Sequence, residues 1–525
     1  MTTPTIRSVP LYAILIVGLA ACAGPESRPA DPAGFRPSPA VAVEGDATAA
    51  ERNATDADRI AADAFDASDP TPQTTRIDPA DIAIAERLRD AALADNAAFA
   101  LLASLTTEVG HRLPGSPNDA RAQEWAVAAF ERLGFDEVYR EPVTFPRWYR
   151  NSESVEIVAP WPHRLVATAL GGTVGTNGPL EAEVVEFATL EALEAATRAK
   201  VEGRIVFIGN RMTRAIDGAG YGPAVRARTR GPSIAAGLGA RALLIRSIGT
   251  SNDRFAHTGM VSYDPAQPRI PAASISNPDA DNLQRMFERG QKVIVRMDLD
   301  VGFDGEYTSN NVIGEITGSE LPDQVVAIGG HLDSWDKGTG ALDDGAGCAI
   351  TMAAAHQILR AGLRPKRTIR VILFANEEQG LWGGRVYAEN RREAIRLHQI
   401  AGESDFGAGR IWRFDTRIKP EAFEAARQIH RVLEPLGIRR GLNTAYGGPD
   451  FTRLRELGAA VFTLAQDGTN YFDYHHTDND TLDKVDPADL SQNVAAWAAA
   501  VWLFAQADGD FGSGQGLETA PSVPR

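Results

Sequence analysis

The stretch QVVAIGGHLDSWDKGTGALDDGAGCAITMAAAHQILRAG, Gln324 to Gly362, decides the fold. It opens on a short apolar run of the kind that forms a buried strand, and closes on an alanine-rich run with the length of a buried helix. Strand, glycine-rich loop and helix in that order form the repeating unit of a parallel α/β sheet, where ligands bind beyond the carboxyl ends of the strands. Between the two runs lie His331, Asp333, Asp336, Asp343 and Asp344. Desolvating that many like charges together is prohibitive unless cations or large pKa shifts compensate.

Working outward, the same pattern returns. NVIGEIT (311–317) and RTIRVILFANEEQG (367–380) read as strands, the second followed at once by Glu377 and Glu378. HQIAGESDFG (398–407) leads to Asp405, and AAVFTLAQD (459–467) is followed by YFDYHHTDNDT, with His475 and His476. Leu490, Val494, Trp497, Val501 and Phe504 share one face of a final helix. Towards the N-terminus, Ser116-Pro117-Asn118-Asp119 predicts a helix start and Gly134 its stop. The fold expected is therefore α/β, a mainly parallel central sheet with helices on both faces. From 165 to 299 the pieces LEAEVVEF, GRIVFIG and ARALLIRS alternate with Gly, Pro and Asn turns, and read as an inserted β-rich module. Gly237 to Ala242 fits a dinucleotide fingerprint, but it precedes a strand instead of opening a helix, so that reading fails on context.

The ends differ in kind. An apolar stretch from Leu11 to Ala21 is too short to span a bilayer, which takes about 20 residues, and suits a signal peptide over 1–21. Leu19-Ala20-Ala21-Cys22 resembles a bacterial lipobox, so Cys22 is expected to carry lipid and the protein to be exported and membrane-anchored, facing the periplasm or exterior. Residues 22–78, rich in Ala, Pro and Asp, read as a disordered tether and 509–525 as a flexible tail. The main domain is then discontinuous, 79–164 and 300–508. A net charge of -16 without Lys or Arg clusters excludes nucleic acid as partner. The other cysteine, Cys348, reads as a small buried residue.

Five loops thus bring two imidazoles and several carboxylates to one sheet edge. His, Asp and Glu donors without a thiolate suit zinc, with cobalt or manganese as substitutes. Two such ions about 3.5–4 Å apart lower the pKa of a shared water towards about 7 and make a nucleophile at neutral pH. Rival machinery is missing from the sequence: there is no HExxH helix and no GxSxG elbow.

GGHLDSWDKGTGALDDGAG, LRPKRTIRVILFANEEQGLWG, ESDFG and YHHTDNDTLDKVDP together resemble the M28 family of dinuclear zinc metallopeptidases. RLPGSPNDARAQEW, EPVTFPRW and RGPSIAAGLGARALLIRS extend the likeness over roughly 81–505. The resemblance implies that the inserted module is a protease-associated domain. It further implies that His331 and Asp405 serve one zinc, Glu378 and His476 the other, and that Asp343 bridges both. His476 is chosen over His475 by the spacing His-x-x-x-Asp-Thr, through Asp480 and Thr481. Glu377 is implied as general base and Asp333 as the residue orienting His331; Asp480 is read as orienting His476. Asp336 and Asp344 have no assigned role. The activity implied is exopeptidase action on dipeptides or short peptides with a free amino end, in a chain able to pair into homodimers. Two alternatives are a glutaminyl cyclase-like acyltransferase with one zinc, and a non-catalytic receptor-like ectodomain.

Overall fold

A computed structural model describes residues 71–517. The signal segment, Cys22, the tether up to residue 70 and the end of the tail lie outside the described residues. At both ends the packed chain overshoots the expected limits. Thr75 and Ile77 are buried, Arg76 bridges Asp508, and Phe511 is wholly buried. The cause is mutual: 74–77 and 508–513 cover one another at the foot of the sheet, each supplying backbone partners the other lacks.

Fourteen strands form one sheet. In chain order they are β1 (Glu137–Ala159), β2 (His163–Arg164), β3 (Ala167–Ala169), β4 (Leu180–Phe187), β5 (Ile205–Ile208), β6 (Ala242–Arg246) and β7 (Ala272–Ile275). There follow β8 (Ile294–Ile316), β9 (Leu321–His331), β10 (Arg367–Phe374), β11 (His398–Glu403), β12 (Ile411–Arg417), β13 (Arg439–Arg440) and β14 (Val461–Gln466). The spatial order is β13-β12-β14-β11-β9-β10-β8-β4-β5-β6-β7-β3, with β1 along β8 and β2 on β1.

The sheet is mixed where a mainly parallel one was expected. β10, β9, β11 and β14 are mutually parallel, as are β4 to β7, but β8 runs antiparallel to both groups and joins them. β1 and β8, 23 residues each, pair antiparallel from Glu137–Glu315 to Ala159–Ile294. Proline at 142 and 146 and many polar positions hide this ribbon from apolar periodicity, because one strand lies at an edge where proline is tolerated.

Alternation along the central strands shows why both faces carry helices. Val326 and Ile328 of β9, with Val371 and Leu373 of β10, face the helices Ala346–Arg360 and Pro487–Gln506. Val325 and Ala327, with Ile372 and Phe374, face Tyr387, Phe451 and Leu454 on the opposite side. A strand buried on both faces reads as a continuous apolar run, as these do. The predicted helix start is present: Ser116 accepts from Asp119 N, the helix runs Pro117–Leu133, and Gly134 ends it at φ +81°.

Segment 165–299 corrects the β-rich expectation. Beside β3 to β7 it holds five helices, among them Tyr221–Thr229, Gly231–Gly237 and Asn277–Glu288. The Gly and Pro signals taken for strand turns are helix starts, with Pro232 and Pro278 in the first turn of two of them. The would-be fingerprint closes a helix at Gly237 and enters β6, as expected. The boundary at 300 falls inside β8, so the segment is continuous with the main sheet.

Candidate metal centre

Because β9, β10, β11 and β14 are parallel, their carboxyl ends open on one edge. His331 is the last residue of β9; Glu377 and Glu378 follow β10; Asp405 follows β11; His476 follows β14 through the short helix Tyr471–Tyr474. Asp343 sits in the turn Ala341–Gly345, which leads into the helix Ala346–Arg360. Close approach requires glycine here. A Cβ on Gly330 would lie 2.4 Å from Asp344 Oδ2, and one on Gly347 would lie 1.7 Å from the Ser404 carbonyl oxygen.

The donor atoms converge. His331 Nε2 lies 3.1 Å from Asp343 Oδ1 and 3.7 Å from Asp405 Oδ1. His476 Nε2 lies 3.1 Å from Asp343 Oδ2 and 3.0 Å from Glu378 Oε2. Asp343 therefore turns one oxygen to each imidazole. His475 stacks on His476 with ring centres 3.5 Å apart, and its Nε2 lies 3.5 Å from Asp343 Oδ2. All seven residues predicted for the site stand at this edge.

Their supports differ from expectation at Asp480. Asp333 meets His331 Nδ1 through its main-chain oxygen, at 3.1 Å, with its carboxylate Oδ1 3.6 Å from the same nitrogen, and that carboxylate also accepts from the backbone N–H groups of Glu377 at 3.0 Å and Glu378 at 3.2 Å. One residue thus sets both the first imidazole and the glutamate pair. Asp480 does not reach the His476 ring; it accepts from Leu342 N at 2.6 Å and Asp343 N at 3.2 Å, fixing the turn that carries Asp343. Asp344, left without a role by the sequence, accepts from His331 N and caps the following helix at Gly347 N. Asp336 pairs with Arg150 at 2.8 Å. Cys348 donates its thiol proton to the His331 carbonyl at 3.1 Å.

Two supports had no sequence signal. His476 Nδ1 meets the carbonyl of Thr258, at 3.2 Å, from segment 165–299; a main-chain oxygen leaves no trace in side-chain pattern. Arg112, fully buried, donates to the carbonyls of Leu332, Thr339 and Gly340 and clamps the loop after β9. A lone arginine ahead of a helix start gives no hint of that.

The electrostatics are mutually frustrated. Burial pulls His331 and His476 towards the neutral ring, yet the surrounding carboxylates outweigh it and hold both pKa values well above the ordinary range. Burial would raise Asp343, but the two imidazoles hold it well below the carboxylate norm. Glu378 and Glu377 are both pushed up by burial, and by neighbouring carboxylates. Since a carbonyl can only accept, Thr258 and Asp333 claim the Nδ1 proton of each ring, which leaves each Nε2 facing carboxylate oxygens. Among the described residues Asp343 Oδ2 and Glu378 Oε1 have no hydrogen-bond partner. Positive charge between these atoms resolves the conflict, and their spacing suits it: donors about 2.0–2.2 Å from a tetrahedral zinc stand about 3.3–3.5 Å apart. Two donor groups meet the geometry for a cation, His331 with Asp343 and Asp405, and Asp343 with His475 and His476. Glu378 lies beside the second, its Oε2 3.0 Å from His476 Nε2.

Comparison with known proteins follows the same outline. The sequence profile of peptidase family M28 matches residues 311–501. Carboxypeptidase Q of Xenopus laevis is 34% identical over 415 residues, 78% of this chain and 86% of that one. The crystal structure of a peptidase M28 precursor from Shewanella amazonensis SB2B is 47% identical and superposes with a TM-score of 0.81, over 82% of this chain and 98% of that chain. A zinc aminopeptidase from Bacillus subtilis, at 19% identity, shares the fold with a TM-score of 0.57 over 77% of this chain and 93% of its own.

Proposed function

Because the chain belongs to peptidase family M28, we propose that it is a zinc-dependent exopeptidase cutting dipeptides or short peptides with a free amino end. Two ions are held in this reading, one by His331 and Asp405, the other by Glu378 and His476, with Asp343 shared. The observation that carries it is Asp343, whose two oxygens each face a different buried imidazole at 3.1 Å. Segment 165–299 is read as the protease-associated domain.

When bound, the ions supply Lewis acidity to the scissile carbonyl and to the attacking water. Glu377 acts as general base: it accepts the water proton as the new C–O bond forms, and returns it to the amine nitrogen as the C–N bond breaks. It is half-buried, and the Asp333 carboxylate fixes its backbone, so its carboxyl group is placed from the same residue that sets the His331 ring. Burial raises its pKa, which strengthens it as a base. A free amino end near the centre distinguishes unblocked substrates.

A complete donor set supports catalysis over a receptor-like role, and the symmetry about Asp343 supports two ions over the single zinc of a glutaminyl cyclase-like enzyme. Elemental analysis with a dipeptide panel, run with zinc and with chelator, tests the reading. Two zinc per chain and chelator-sensitive release of amino acids are expected. One zinc with cyclisation of N-terminal glutamine, or no turnover of any unblocked peptide, overturns it.

A further inference from the structure

Thr258 is 1% exposed, and both sides of its peptide are committed to His476. Its N–H donates to the His476 carbonyl at 3.0 Å, and His476 Nδ1 donates back to its carbonyl at 3.2 Å. The same carbonyl accepts from Arg228 Nη1 at 3.2 Å. Arg228 is buried, and its Nη2 donates to the Tyr221 hydroxyl at 2.7 Å, while the Tyr221 ring stands edge-on to His475. The Thr258 hydroxyl is fixed as well, donating to Ala169 O at 2.9 Å and accepting from Arg150 at 3.2 Å.

Stability alone gives a poor account of Arg228. Among the described residues no ion pair involves it and its Nε has no acceptor, so beside its two hydrogen bonds it has only the Tyr221 ring, 5.7 Å from the guanidinium carbon. A buried guanidinium in that state is costly, since burial of charge is offset only by pairing and full hydrogen bonding. Gly259 supplies the close approach: at φ +129°, a Cβ there would lie 2.1 Å from Arg228 Nη1 and 2.9 Å from His476 Nδ1. His331, by contrast, takes its acceptor from Asp333, two residues along its own loop.

The geometry points to Arg228 as a positioning residue for one half of the metal centre. By fixing the Thr258 carbonyl it fixes the His476 ring with Nε2 towards Glu378 and Asp343. Segment 165–299 thereby sets affinity for the ion at Glu378 and His476, and leaves the ion at His331 and Asp405 alone. The inference rests on the two-ion reading above.

The test is titration of metal-free full-length protein with Co2+, followed by calorimetry and visible absorption. Wild type should take up two ions. Arg228→Met should keep one at unchanged affinity and bind the other about 10–100-fold more weakly, the usual effect of losing an outer partner of a ligand. Arg228→Lys should recover part of the loss, and Arg228→Met should add nothing further in a Glu378→Gln background, which already lacks that ion. Unchanged affinities in Arg228→Met, or equal weakening of both ions, overturn the inference alone. A wild type that binds fewer than two ions overturns the two-ion reading and the inference together. If Arg228→Met fails to fold, Gly259→Ala decides: selective weakening of one ion supports the inference and unchanged binding overturns it.

Discussion

The carboxyl edge of β9, β10, β11 and β14 and the carboxyl edge of β4 to β7 are the same architecture built twice in one sheet, with opposite treatment of buried polar groups. In segment 165–299, Arg246 closes β6 and donates to Gly209 O at 2.9 Å, Asn277 O at 3.1 Å and Gln284 Oε1 at 2.6 Å. Asp279 accepts from Val166 N at 2.7 Å and Arg254 at 3.0 Å. At the other edge Asp343 Oδ2 and Glu378 Oε1 are left without partners, and neighbouring pKa values are driven in opposing directions. Native proteins leave few such groups, so their concentration at one edge marks where a ligand is owed. The unpartnered exceptions within the segment, Arg228 Nε and His257 Nδ1, belong to residues bordering His475 and His476.

The sharpest way to break this comparison is at the frustrated edge. Glu377→Gln should keep both metals and lower kcat by about 10²–10⁴-fold, the usual share of a general base; full activity with normal metal content removes Glu377 from the mechanism. Metal should also stabilise this edge by mass action, about 4 kcal/mol at a thousand-fold excess over Kd. Scanning calorimetry should therefore show a lower Tm after chelation. Glu378→Gln should reverse sign: less stable than wild type with metal, but at least as stable without it, because relief of the burial and carboxylate repulsion on Glu378, whose Oε1 has no partner, offsets the loss of its contact with His476. A variant less stable in both states contradicts the frustration.

Predictions away from the frustrated edge are smaller and independent of metal. Arg246→Met strands the acceptors of Gly209, Asn277 and Gln284, removes an ion pair with Asp281, and should cost about 1–3 kcal/mol in urea denaturation, equally with and without chelator. His398 begins β11, at the opposite end of the sheet, fully buried with Nε2 3.0 Å from the Tyr387 hydroxyl. Burial, aided by Arg370 and Arg391, lowers its pKa to about 3. A depressed histidine stabilises the fold when neutral, so its contribution is complete above its unfolded pKa of about 6.5 and is lost as pH falls towards 3. Between pH 7 and pH 5 that loss is about 2 kcal/mol. His398→Gln should flatten the dependence in this window, read from denaturation midpoints at the two pH values.

What the sequence makes legible follows from where the information sits. His331, Glu377, Glu378, Asp405 and His476 can be placed at one edge because each follows an apolar run that reads as a buried strand, and Asp343 because its loop leads into a buried helix. Parallel topology then forces the strand ends together. Asp333 stands beside the His331 ring with both its carbonyl and its carboxylate, and the second task of that carboxylate, holding the glutamate backbone, leaves no mark in the sequence. Thr258 and Arg228 were illegible, being more than two hundred residues from His476 in the chain and acting through a main-chain oxygen. The ribbon of β1 and β8 was missed because a partly exposed strand with prolines has no continuous apolar stretch, and the helices of 165–299 because Gly-Pro punctuation serves helix starts as well as turns.

That ribbon has a mechanical consequence. The chain leaves for segment 165–299 along β1 and comes back along β8, each hydrogen-bonded to the other over the whole journey. A module hung on such a double rail, rather than on loose linkers, does not swing as a jaw. The pairing changes register near 146–148, 150–152 and 157–159. The reach of Thr258 to His476 is therefore set by a paired ribbon and not by a loose linker.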